Sequence, residues 1–183
     1  EREPVQPLQV LVFVSGFNNC VYDSLKTLGQ LCSLSNFPVN VLPVVFSWPC
    51  GSLPSFFNTK RIAESPQLQE AFISFVTTLR AKLGSVTIDV LAHSQGCRAM
   101  MNALSQPRCK DLGIRHIILA NPEAELMSFE QIGKQIRANS SSVTLYTNPG
   151  DRALWFSQLL NTLASDTPCQ LKTSLGRHAD SLW

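Results

Sequence analysis

Apolar residues in this chain follow two alternating rhythms: short unbroken runs, and longer stretches in which they recur every three or four positions. The runs at 9–14, 39–46, 86–91, 114–120 and 143–147 are strand-length and rich in Val, Ile and Leu, which predicts strands buried on both faces. Between the first two, Val21, Leu25, Leu28 and Cys32 recur at helical spacing. The clearest helix has Ser65 as N-cap and Pro66 at its first position. It carries Leu68, Phe72, Phe75, Val76, Leu79 and Leu83 on one face, and Gly84 is its stop. Cys97, Met100, Met101 and Leu104 predict another helix, ending before Pro107. Ser128 and Gln131 read as a capping box for a helix reaching about Ala138, and a last helix is expected over 152–164. Residues 170–175 are expected to add a short final strand.

This alternation predicts one α/β domain over residues 1–183, with a mostly parallel sheet of five to six strands and helices on both faces. No insertion longer than a loop separates the elements, so the domain is expected to be compact and lidless. A hydrophobic content of 44% supplies a core, while a net charge of +2 and a charged content of 15% leave no basic stripe for nucleic acid. No apolar run approaches the roughly 18 residues of a membrane span, so the chain reads as soluble. Its six cysteines form no C-x-x-C pair, which argues against zinc and favours a reducing, intracellular compartment. The opening Glu-Arg-Glu is compatible with a piece of a longer chain.

In parallel sheets, loops and helix N-termini converge at the carboxyl ends of the strands. The first strand ends at Ser15-Gly16-Phe17-Asn18-Asn19, and the second at Ser47-Trp48-Pro49-Cys50-Gly51, followed by an apolar loop with Leu53, Pro54, Phe56 and Phe57. The third ends at Ala92-His93-Ser94-Gln95-Gly96. A serine at a sharp strand-to-helix turn, with small residues two before and two after it, is presented to a base while the next helix aims N–H groups at a developing oxyanion. The following strands end at Asn121-Pro122-Glu123-Ala124-Glu125 and at Asn148-Pro149-Gly150-Asp151-Arg152. Of three histidines, His93 adjoins the serine and cannot fold back onto it, and His116 lies at the far end of a strand. His178 remains as base, and Ser94, Asp151, His178 is a recognised chain order for a Ser-Asp-His triad.

Four blocks together, Ser15-Gly16-Phe17-Asn18, Phe46-Ser47-Trp48-Pro49, Ala92-His93-Ser94-Gln95-Gly96 and Gly150-Asp151-Arg152-Ala153-Leu154, resemble an uncharacterised α/β-hydrolase family of serine esterases. Its members carry His-Gly-Phe/Tyr-Asn, Phe-Ser-Trp-Pro, Ala-His-Ser-Met-Gly and Asn-Asp-x-Ala-Leu motifs. The resemblance implies an α/β-hydrolase fold, with Ser94 as nucleophile, His178 as general base and then acid, and Asp151 orienting the imidazole. It also implies an oxyanion hole from the backbone N–H groups of Phe17 and Gln95, a small acyl or ester substrate, and no metal or organic cofactor. Trp48, Phe56, Phe57 and Trp155 are candidates either for an acyl pocket or for plain packing. The chain departs from the pattern at Ser15, where the family has histidine, and at Gln95, where it has methionine. Glu123 and Glu125 replace aspartates and are alternative acids. Ser15, the short C-terminal region and the surroundings of His178 leave a second reading open, a hydrolase-like binding or assembly module within a larger complex. The apolar loop at 53–57 would then offer a contact for a protein partner.

Overall fold

The computed structural model describes residues 8–51, 55–84, 86–163 and 174–177. Five strands, β1 (Gln9–Val14), β2 (Val41–Phe46), β3 (Thr87–His93), β4 (Ile114–Ala120) and β5 (Ser142–Tyr146), form one parallel sheet in the order β2-β1-β3-β4-β5. The intervening helices are α1 (Val21–Leu34), α2 (Phe56–Ala63), α3 (Pro66–Leu83), α4 (Gln95–Leu104) and α5 (Leu126–Ala138). A 3-10 helix at Pro107–Leu112 leads into β4, and α6 (Arg152–Leu163) follows β5.

The chain steps from β1 outward to β2, then returns past β1 to β3 and continues to β5. With right-handed crossovers, this reversal sets α1 on one face and α3, α4 and α5 on the other. Packing agrees, since α1 lies on β1 and β2 while α4 touches β1, β3, α3 and α5. Val10, Val12, Val14, Ile88, Val90 and Ala92 face a single buried cluster with Phe72, Val76, Met100 and Leu104. Nine of the ten residues of α4 are buried, because other helices flank it and the sheet lies beneath. The reversal also opens a crevice at the carboxyl ends of β1 and β3, the place where open α/β sheets hold ligands.

Several sequence expectations change in detail. Phe56 and Phe57, expected in a loop, open the helix α2, and β2 begins at Val41. Pro43 is tolerated there because β2 is an edge strand. In α1 only Ser24 and Leu28 are buried, whereas Val21 and Leu25 are each 54% exposed. The capping box expected at Ser128 is not the start of α5, which begins at Leu126 with Glu125 in the cap position. No final strand joins the sheet at 174–175. Instead Ser174 makes an isolated antiparallel bridge to Glu125, and Leu175 and Gly176 donate backbone hydrogen bonds to Ala124 and Pro122. Residues 170–173 lie outside the described residues.

Candidate active site

Ser94 sits between β3 and α4 with φ 51° and ψ −121°, a conformation that costs a non-glycine residue about 1–3 kcal/mol. Its surroundings over-determine that geometry. Its N–H donates to Ala120 O at 2.9 Å, and its carbonyl accepts from the N–H groups of Cys97 and Glu123, both at 3.0 Å. A Cβ on Gly16 would stand 2.8 Å from Ser94 Cβ, and one on Gly96 would collide with the carbonyl oxygens of Val14 and Ser15. The elbow therefore needs glycine at both positions, because the end of β1 passes directly over the start of α4.

The loop after β1 is tied down without the family's histidine. Trp48 Nε1 donates to Ser15 O at 2.9 Å, Ser24 Oγ donates to Ser15 Oγ at 2.8 Å, and Asn18 N donates to Cys50 O at 3.1 Å. Asn19 Nδ2 donates to the carbonyls of Gly16 and Phe17, at 3.3 and 2.9 Å. This anchoring leaves the N–H of Phe17 without an acceptor among the described residues. Gln95 opens α4, so its N–H lacks an intrahelical partner and carries the positive end of the helix dipole. Gln95 directly follows the serine, and Phe17 directly follows Gly16, where an added Cβ would lie against Ser94 Cβ. The side chain of Gln95 is fully buried, and neither amide atom meets a partner among the described residues.

Asp151 occupies the cap of α6. Its Oδ1 accepts from the N–H groups of Ala153 and Leu154 at 2.9 and 3.0 Å, and its Oδ2 accepts from Asn121 Nδ2 at 3.1 Å. Asn121, at the end of β4 with φ 44°, was not singled out in the sequence. Its sign there was an Asn-Pro pair closing a strand. His178 lies outside the described residues. Its neighbour Arg177 donates from Nε to Pro149 O at 3.0 Å, on the loop that carries Asp151. His116 is on the opposite side of the sheet's function-bearing edge, near the start of β4, where its Nδ1 meets Ser142 Oγ at 2.6 Å. Desolvation lowers the pKa of His93, and the Asp151 charge opposes that shift.

The four aromatic candidates separate. Trp48 is 4% exposed with its indole N–H bound to Ser15, so it anchors the loop from within. Phe56 packs edge-to-face on both Phe17 and Phe57, at 5.4 Å between ring centroids in each case. Phe57 and Trp155 are half exposed, on the first turns of α2 and α6. Of the alternative acids, Glu123 is buried and bidentate with Arg98, and Glu125 pairs with Lys60. Among the described residues no group of three or more His, Cys, Asp or Glu side chains is placed to hold a metal ion, and no helix is long and apolar enough to cross a membrane.

No curated protein matches the sequence. Among solved structures, the chain is similar to an iodinated complex of acetyl xylan esterase, with a TM-score of 0.51 and 14% identity, covering 87% of this chain and 96% of that one. A second acetylxylan esterase structure is matched over the same shares with a TM-score of 0.49 and 13% identity. At 14% identity the first likeness speaks for the fold alone. A family profile described as "Alpha/beta hydrolase of unknown function (DUF900)" matches residues 4–167. A five-stranded parallel sheet, a serine elbow at its crevice and a profile match over most of the chain lead to one assignment: the protein belongs to the DUF900 family of alpha/beta hydrolases.

Proposed function

We propose that this hydrolase cleaves an ester or related acyl bond through an acyl-enzyme, with Ser94 as nucleophile, His178 as general base and Asp151 as the acid that orients it. The observation that carries this reading is the conformation of Ser94: a strained, hydrogen-bonded turn at the crevice, with Gly16 against its Cβ. In the proposed reaction Ser94 Oγ attacks the carbonyl carbon as His178 takes its proton. The carbonyl oxygen becomes an oxyanion facing the N–H groups of Phe17 and Gln95. His178 then protonates the leaving alcohol, and water repeats the sequence to release the acid. Asp151 keeps one oxygen on the helix cap and the other toward Asn121, which supports a fixed carboxylate at this position. Phe56, Phe57 and Trp155 offer apolar surface to an acyl group, while Trp48 supports the oxyanion loop from below.

The test is labelling of the purified protein with a fluorophosphonate probe, beside Ser94→Ala and His178→Ala variants. Labelling of the wild type that is lost in both variants is the expected result. A folded wild type that does not label overturns the proposal.

A further inference from the structure

The loop after β4 carries a buried carboxylate held in a network of polar and charged side chains. Glu123 is 5% exposed and Arg98, on α4, is 7% exposed. Arg98 Nε donates to Glu123 Oε2 at 2.9 Å and to the Glu123 carbonyl at 3.1 Å, and Nη2 donates to Oε1 at 3.1 Å. Ser157 Oγ, on α6, donates to the same Oε1 at 2.8 Å. Arg98 Nη1 reaches Glu64, after α2, at 2.6 Å. The backbone of Glu123 meanwhile donates to the carbonyl of Ser94. One residue thus grips the strained serine through its main chain, and through its side chain holds both the helix that Ser94 begins and the helix that Asp151 caps.

A buried ion pair is a poor choice for stability alone, since desolvation consumes most of its Coulomb gain and apolar packing does as well. It offers direction instead: five side-chain bonds at fixed angles tie together four segments, the loop after β4, α4, α6 and the end of α2. We propose that Glu123, with Arg98 as its counter-ion, is a positioning residue that sets the elbow of Ser94 relative to the Asp151 end of α6. Its catalytic consequence rests on the hydrolase reading above. The positional claim is separable, because it concerns which backbone segments loosen together.

The experiment combines hydrogen–deuterium exchange with fluorophosphonate inactivation kinetics on wild type, Glu123→Gln and Ser157→Ala. Glu123→Gln is expected to speed exchange at least tenfold at 93–98 and 151–156 while α3 keeps its wild-type rate. It should also lower the limiting inactivation rate at least tenfold without moving the half-saturating probe concentration. Ser157→Ala should quicken exchange at 151–156 alone. A uniform rise that includes α3, or unchanged exchange in both segments, overturns the proposal. If Glu123→Gln does not fold, Ser157→Ala decides, and wild-type exchange at 151–156 is the overturning result. A wild type that fails to label refutes the hydrolase reading, and the exchange pattern still decides the positional claim.

Discussion

Ser94 is held in a conformation that its neighbours enforce, and the two glycines beside it are the cheapest places to test that. In Gly16→Ala the new methyl would meet Ser94 Cβ at 2.8 Å, and on the proposed mechanism a shift of this loop would displace the Phe17 N–H from the oxyanion. Losing one oxyanion donor costs about 10²–10³ in turnover, so ester hydrolysis by Gly16→Ala should fall by about that factor. Asp151 has two roles that one substitution separates. Asn is as good an N-cap as Asp, and Asn121 can turn its amide oxygen toward the new Nδ2, so Asp151→Asn should stay within about 1 kcal/mol of wild type in urea denaturation. Its turnover should drop by about 10³–10⁴ if the charge orients His178. The Gln95 amide is buried without partners among the described residues, and replacing such a group by a shape-matched apolar one is favourable. Gln95→Met should raise stability by about 1–3 kcal/mol, read as a higher Tm. At this scale the serine was legible because its flanking small residues are local. Arg98 was not: a lone cation on an apolar helix stripe is visible, but its partner lies 25 positions away.

Among the elements, α3 followed its sequence signals most closely. Ser65 Oγ accepts from Leu68 N at 3.3 Å, Pro66 is the first helical residue, and Gly84 leaves the helix at φ 76°. Ser65→Ala should therefore cost about 1 kcal/mol of unfolding free energy by denaturant titration. The short helix α2 has no clear signal in the sequence, because eight residues starting Phe56-Phe57-Asn58-Thr59 show no full helical repeat and propensity is weak. Tertiary support makes it helical: Thr59 and Ala63 are fully buried, and the helix packs against α4. The apolar spacing of α1 predicted a helix correctly, yet it overstated burial, since only part of that stripe faces β1 and β2 at the margin of the sheet.

For the whole molecule, protection of buried groups reports how the sheet and helices open together. Burial drives the Cys97 thiol far above its ordinary pKa and pushes Cys109 up to about 11, whereas Cys20 is exposed. Alkylation with iodoacetamide at pH 8 should modify Cys20 in the native protein, and Cys97 and Cys109 only at the rate of opening, as peptide mapping would show. The strand order and its reversal at β1 were implied by β-α alternation, but not determined by it. Alternation specifies parallel pairing and handedness, while the side on which each strand adds depends on which faces bury best. Local pattern alone was enough to mark the strands, most of the helices, and a serine at a strand-to-helix turn, because periodicity, caps and small residues act over a few positions. The fold decided what no local pattern encodes: that the end of β1 crosses over α4, that Trp48 secures the loop after β1, that Asn121 meets Asp151, and that Glu123 joins Arg98. Those contacts span 25 or more residues, and chain separation of that length leaves the choice of partner to the packing of the sheet and its helices.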